Sequence, residues 1–375
     1  VAWSQRERPV LFDFFPSRTL TWYLAKAFIT RILAVLVMLV LVLMMLDLLS
    51  TTGDILAYPG NGEAELLRYV SLRVPQLIAR FLPYSVLLAT IITLATLNQN
   101  SEVVSMKAAG LSAHQILAPL LLTAALVAAT SFAFNEGVVT RATATLKAWD
   151  AVEFGPMPEE SALRTNVYYT TGDDVLTATS ITGDGPSTVM RGVTFYDRDP
   201  RGMILRQLRS ETATWANPGW TLDAPQVFEV RSAAAEQAAG PVVVAPELTP
   251  SQVSLGRVDP DAQTLGELSQ SIDALDAAGR QTAELKGKWW HKISGPLSTL
   301  LMPLLGAVAG FGLARSGQLF ARAVIGMALG FAYFVVDNAA LAMGSFGGYP
   351  PLLAAWAPFL LFVLVGETVL IRTEE

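Results

Sequence analysis

Four acidic side chains, Asp47, Glu136, Asp337 and Glu367, lie inside or at the ends of long apolar runs. An ionisable group at membrane depth costs about 3 kcal/mol on insertion scales, so each needs a partner or a wet cavity. Asp337, followed by Asn338, is the deepest, and it reads either as part of a polar cavity or helix contact or as a hydrogen-bonded structural pair. Glu136 is within reach of Arg141 and Lys147 along the same run, and Asp47 reads as interfacial. Other chemistry is excluded by residue type. With no cysteine there is no disulfide framework, thiolate metal site or cysteine nucleophile. His114 and His291 are isolated and fit no metal-ligand spacing, and neither a Ser/His/Asp constellation nor an H-E-x-x-H motif stands out, so no catalytic and no metal site is expected. No Walker A stretch occurs, so the chain does not itself hydrolyse ATP through a P-loop. The net charge of −6 argues against nucleic acid as a partner.

The elements that must position these charges are membrane helices. Of 375 residues 52% are hydrophobic and only 15% charged, with a mean hydropathy of +0.43, far too apolar for an ordinary soluble domain. Roughly 20 residues at about 1.5 Å rise cross the hydrocarbon. Six stretches suffice, at 25–48, 76–97, 115–135, 293–314, 319–343 and 352–371. The segment between the third and fourth, about 140–290, has no such run. It alternates in the strand manner over 165–171, 175–181, 189–196, 203–208 and 219–230, with turn signals between. Strands about ten residues apart predict an antiparallel sandwich or jelly roll. The Ala-rich stretch 232–240 predicts a loop or short helix, and 262–285 a helix leading back to the membrane. Expected units are therefore a tail and spans one to three (1–139), an all-β domain (140–290) and spans four to six (291–375). Over 151–285 there are 19 acidic against 9 basic residues, a charge of −10.

Orientation follows from Lys and Arg near the short loops. With six spans, Arg6, Arg8, Arg18, Lys26, Arg31, Lys107, Arg315, Arg322 and Arg372 all fall on one side, which predicts cytoplasmic termini and an external β domain. The opposite side carries its own cations: Arg68, Arg73 and Arg80 before span two, Arg141 and Lys147 after span three, and Lys286, Lys288 and Lys292 before span four. Arg and Lys snorkel at an interface whatever the ligand, yet so many on one side call for an explanation.

Between spans two and three, residues 98–116 hold two helix ends in close succession. Ser101 is placed to N-cap a short helix over about 101–110, with Glu102 at its positive start, Lys107 at its negative end and Gly110 at the left-handed C′ position. Ser112 and Gln115 then form a capping box, and Leu111 and Ile116 have the spacing of a hydrophobic staple. A capped interfacial linker fits this pattern, as does a cytoplasmic coupling helix that docks into a partner. Rigid capping at both ends favours the second, because a tether needs no fixed angle.

The run Ser101-Glu102-Val103-Val104-Ser105-Met106-Lys107-Ala108-Ala109-Gly110-Leu111-Ser112 is similar to the S-E-hydrophobic-x-x-M-x-A-x-G-hydrophobic-S/T pattern of the lipopolysaccharide-export permeases, the LptF/LptG family. Three spans, a β domain with a Trp-x-Leu strand (Trp220-Thr221-Leu222) and three more spans extend the resemblance over nearly the whole chain. The residues leading into Glu102 and the Asp47 exit of span one resemble the LptG branch more than the LptF branch.

The resemblance implies a bacterial inner-membrane, multi-pass permease subunit of an ABC transporter with a periplasmic β-jellyroll. Its implied partners are a sister permease, a dimeric cytoplasmic ATPase that holds ATP and Mg, a single-span periplasmic bridge protein, and lipopolysaccharide. This chain itself would need no cofactor. Ser101, Glu102, Met106, Gly110 and Leu111 are carried over as the ATPase-coupling element. Lipid A phosphates supply a purpose for the outer cations Arg68, Arg73, Arg80, Arg141 and Lys147. The pattern departs from the family where a further basic residue is expected, at Asp150, and where lysines are expected after span one, at 48–54. An acyl-chain path through the β domain is expected along Val167, Tyr169, Phe195, Trp215 and Phe228, residues that any sandwich core would also contain. Asp47, Glu136 and Asp337 remain as intramembrane polar groups. The alternative is a non-transporting mechanical or scaffolding subunit that relays ATPase motion to the outer domain; a pure lever needs fewer spans and no basic outer mouth.

Overall fold

The computed structural model describes residues 15–150, 152–155, 164–182, 187–232, 234–238, 240–250, 253, 258–277, 281–310 and 319–372. Apolar sequence without breakers gives α1 (Arg18–Ala57). Its N-cap is Ser17, whose hydroxyl accepts from Leu20 N at 3.4 Å. A turn through Gly60, at φ +101°, reverses the chain into α2 (Glu63–Gln99). After α3 (Glu102–Ala108), the helix α4 (Ala113–Phe134) runs through one π-helical turn (Asn135–Val139) into α5 (Thr140–Asp150). Beyond the β domain come α6 (Leu265–Ala277), α7 (Ala283–Gly310), α8 (Leu319–Ser345) and α9 (Pro351–Arg372).

Among the described residues five helices are long and apolar enough to cross a membrane: Arg18–Ala57, Glu63–Gln99, Ala113–Asp150, Ala323–Ser345 and Pro351–Arg372. The remaining stretch expected to span, 293–314, lies along α7 up to Gly310, and 311–314 fall outside the described residues. Helix α7 packs against α2, α4, α8 and α9 and places Leu301, Met302 and Leu305 in the core. Helix α1 commits only one stripe to that core, Leu24, Phe28, Ile32, Leu36, Val40 and Met44. Its other side, Leu33, Val37, Leu41, Met45 and Leu49, is 54–82% exposed, as befits a surface whose solvent is lipid.

The inserted domain is one antiparallel sheet. Its strands are β1 (Arg164–Thr171), β2 (Asp174–Thr182), β3 (Val189–Arg198), β4 (Ile204–Trp215), β5 (Trp220–Leu222), β6 (Gln226–Glu229), β7 (Ala234–Gln237) and β8 (Val242–Val244). The order is β1-β2-β3-β4-β5-β8, with β6 and β7 added on β4. The expected strand at 219–230 is in fact two, because Ala224 at φ +39° and Pro225 break it. Strand β4 consequently divides one edge, pairing Ala213–Trp215 with β5 and Arg206–Arg209 with β6. Within the Ala-rich stretch, 234–237 are neither loop nor helix. They pair with β6 as β7, a case of ladder bonding overriding composition. The apolar face holds Tyr169, Leu176, Val193, Phe195, Trp220 and Leu222. Ala245, Leu248 and Val253 pack onto it, pinned by Trp220 Nε1 donating to Leu248 O and Tyr169 OH donating to Val253 O, both at 2.7 Å.

Candidate coupling corner and outer mouth

Helix α3 ends in a Schellman motif. Leu111 N donates to Met106 O at 3.1 Å and Gly110 N to Lys107 O at 3.0 Å, with Gly110 at φ +89°. Helix α4 starts on the expected box, Gln115 N donating to Ser112 Oγ at 3.2 Å and Ser112 N to Gln115 Oε1 at 3.0 Å. Ile116 is fully buried, and Leu111 packs against the core. The start of α3 differs from expectation. Ser101 sits in the left-handed region at φ +61° and its side chain caps nothing. A hydroxyl can cap only from the extended conformation, so the start is organised around Glu102 instead. Tyr23 OH donates to Glu102 Oε2 at 3.0 Å and Asn100 Nδ2 to Oε1 at 3.2 Å. Val103 and Met106 face the bundle, while Val104 is 55% exposed. No spacing in the sequence pointed to Tyr23, which lies 79 residues from its partner.

At the other end of the helices the cations are mostly engaged. Arg73 is bound to Asp47 through Nη2 at 2.8 Å and through Nε at 3.1–3.2 Å, and Tyr69 OH donates to the same carboxylate at 2.6 Å. Asp47 is therefore a helix-pairing residue and not merely interfacial, and the Arg73 fork is taken up in bidentate fashion. The Arg68 guanidinium lies over the Trp149 ring, 5.1 Å from its centroid. Lys147 pairs with Asp259. Among the described residues Arg80 and Arg141, both exposed, form no ion pair.

Glu136 reaches neither Arg141 nor Lys147. It accepts from Leu265 N at 2.8 Å and lies 3.8 Å from Lys292 Nζ, so the π-helical turn anchors the start of α6. That start is also capped by Thr264 and Glu267. The Thr264 hydrogen bonds hold the Glu267 carboxyl below the usual glutamate range, and the charges of Arg141 and Lys292 add to the effect. Asp337, with its side chain 8% exposed, is 3.0 Å from His291 Nε2 across α8 and α7; Glu367 is 3.3 Å from His114 Nε2 across α9 and α4. Both histidines, isolated in the sequence, thus meet a carboxylate of another helix.

In the β domain Tyr169 and Phe195 are core residues and Trp215 is half-buried against them. Phe228 is 39% exposed. It stands opposite Gln207, whereas its neighbour Val227 stands opposite the buried Leu208. The break at 224–225 shifts the alternation by one, which moves Phe228 off the apolar face. The Val167 side chain lies outside the described residues.

These features define a class: a polytopic helical membrane protein with an antiparallel β domain inserted after its third apolar helix. The family model of the lipopolysaccharide export system permease LptF/LptG matches residues 22–372, and the chain belongs to that family. Its curated relatives include the lipopolysaccharide export system permease protein LptG of Escherichia coli strain K12. That protein is 26% identical over 368 residues, covering 95% of this chain and 99% of the relative. The LptG protein of Haemophilus influenzae is 24% identical over 367 residues with the same coverage.

Proposed function

We propose that this chain is the LptG-type membrane subunit of a lipopolysaccharide exporter. In this reading six spans cross the bacterial inner membrane, with α7 as the fourth, both termini are cytoplasmic, and a jellyroll-like domain within 140–290 lies in the periplasm. A sister permease of the LptF type completes a laterally open cavity. Ser101, Glu102, Met106, Gly110 and Leu111 form the corner that receives the stroke of a dimeric cytoplasmic ATPase, where ATP and Mg are bound. Lipopolysaccharide enters from the outer leaflet with its phosphates near Arg80, Arg141 and Lys147. It leaves through the β domain to a single-span bridge protein, with Tyr169, Phe195 and Trp215 on the acyl side.

The observation that carries this reading is the double cap around Gly110 and Ser112. It fixes the angle between α3 and α4, so a push on α3 turns α4 instead of being absorbed by a flexible loop. Gentle purification in detergent tests it. The chain is expected to bring down an ATPase, a second permease and lipopolysaccharide, and a preparation lacking both ATPase and lipid sinks the reading. The native absence of cysteine makes topology separable. Single cysteines at Asn217 and Arg201 are expected to react with an impermeant thiol reagent from outside and one at Lys107 is not; the opposite pattern reverses the transport direction.

A further inference from the structure

Asp337 is the deepest acid of the apolar helices, and it closes a seam of polar side chains between α7 and α8. His291, Ser294 and Ser298 lie on one face of α7, at spacings of three and four residues. From α8 the Asp337 carboxylate comes within 3.0 Å of His291 Nε2, and Tyr333, one turn earlier, brings its phenol to the Ser298 side chain. Ser294, Ser298, Tyr333 and Asp337 are all buried, and the Ser294 hydroxyl has no hydrogen-bond partner among the described residues. The seam thus has polar capacity beyond its own pairs. His291, with 30% of its side chain exposed, is its outlet, and it lies within three turns of the start of α7, at the β-domain end.

The charge of this contact depends on how many protons the two groups hold. With one proton between them the pair is neutral overall. With none, a buried carboxylate keeps only an imidazole N–H; with two, an imidazolium faces an uncharged acid. A net charge at membrane depth is costly, so the one-proton state holds α8 against α7 best. Imidazole is also the side chain whose ordinary charge change falls between about pH 5 and 8. The other charges on the packed helices are engaged or distant. From α2, Tyr84 stacks on Phe334 at 4.0 Å between centroids and feels both Asp337 and Arg80. On α7, Lys292 lies beside Glu136 and Lys286 pairs with Asp276 of α6, which leaves Glu284 and Lys288 at its start; α6 adds the exposed Asp273 and Glu267, the latter held by Thr264. Arg322 lies at the opposite end of α8, residues 351–366 of α9 hold no titratable group, and His114 of α4 sits beside Glu367 at the opposite end of the bundle.

We propose that His291 and Asp337 form an intramembrane proton-binding site, reached from the β-domain end, and that a proton bound there ties α8 to α7 while its loss loosens them. The site is independent of the cargo and of the ATPase. The far face of α8, where Val324, Phe331 and Val335 are 42–64% exposed, carries the loosening to whatever lipid or helix lies against it.

Ser294→Cys puts a thiol into the seam of a chain with no native cysteine and removes no hydrogen bond. The readout, for the full chain in nanodiscs, is its labelling rate with a small methanethiosulfonate, divided by the rate of a separate Asn217→Cys chain so that the intrinsic pH response of thiols cancels. With the native pair the ratio is expected to rise about tenfold from about pH 6 to about pH 8.5. Asp337→Asn keeps a hydrogen-bonding partner without a carboxylate, so its ratio is expected to stay low at both; His291→Gln leaves the acid alone and is expected to be high at both. A purely structural hydrogen bond would change the level in these variants but give no pH response in the native pair. A flat native ratio, or a rise in Asp337→Asn equal to the native one, overturns the proposal, and a low ratio in His291→Gln at both pH values overturns the sharing of the proton between two groups. In proteoliposomes with the pH set separately on each side, the ratio is expected to follow the side from which Asn217→Cys reacts; a response to the other side overturns the route of entry. Failure of the chain to bring down an ATPase or lipopolysaccharide removes the transport reading and leaves this result standing.

Discussion

Tyr23 donates its hydroxyl to Glu102 across 3.0 Å, which joins the start of α1 to the first residue of α3. The first apolar helix and the corner it meets are therefore one unit on that side of the bundle. Glu102→Ala is expected to reduce association with the ATPase, or transport coupled to it, with membrane insertion unchanged. Tyr23→Phe keeps the ring and removes the donor, and should give a smaller loss of the same sign. Pull-down of the ATPase and a lipid-release assay check both, and full transport by the two variants would remove Glu102 from the coupling path.

Asp47 and Arg73 should behave as a pair. Removing either leaves a partly buried charge without its main partner, since Tyr69 alone remains on Asp47. With side-chain exposures of 18% and 31%, the cost falls below that of a fully buried pair, to about 1–3 kcal/mol for Arg73→Ala. Thermal unfolding in detergent measures it. Asp47→Asn with Arg73→Gln should cost less than the sum of the single changes.

Gly306 lies where α7 crosses α2. A Cβ there would stand 2.7 Å from Thr90 Cγ2 and 2.9 Å from its Cβ. Thr90 is fully buried, and its hydroxyl is bonded to Val86 O. A branched, anchored side chain cannot step aside, so Gly306→Ala should destabilise the bundle by about 1–3 kcal/mol through overpacking. An unfolding midpoint equal to that of the native chain would place the contact elsewhere.

Leu222 and Phe228, apolar residues on either side of the break at Ala224 and Pro225, should separate sharply. Leu222→Ala empties a fully buried position and is expected to cost about 2–5 kcal/mol. Phe228→Ala, on the exposed face, should change stability by no more than about 0.5 kcal/mol. Protease resistance of the β domain in the intact chain distinguishes them.

Local signals and long-range partners were legible to very different degrees. The Gly110 and Ser112 caps could be read because the residues involved are five or fewer apart and backbone geometry admits few solutions. The hydrophobic runs located the helices for the same reason. Partners distant in the chain left no trace in spacing: Glu102 with Tyr23, Glu136 with Leu265, Lys147 with Asp259, and each histidine with its carboxylate. The cations on the β-domain side looked unpaired in the sequence only because acids of other elements meet three of them: Asp47 holds Arg73, Asp259 holds Lys147 and Glu136 lies beside Lys292. In the β domain, period-two alternation placed Tyr169 and Phe195 on the buried face correctly and failed at Phe228, beyond the break at Ala224 and Pro225 that a single extended run concealed.

The helix Ala113–Asp150 leaves the bundle without a break in its backbone hydrogen bonding, its π-helical turn included. The return path is built differently, from a short turn at 258–264, the separate helix α6 and then α7. Among the described residues the outgoing side is thus one continuous helix and the returning side is jointed. A continuous helix carries a twist along its whole length, so a turn of α4 at the corner would reach Asp150, at the threshold of the β domain, while the jointed side gives way.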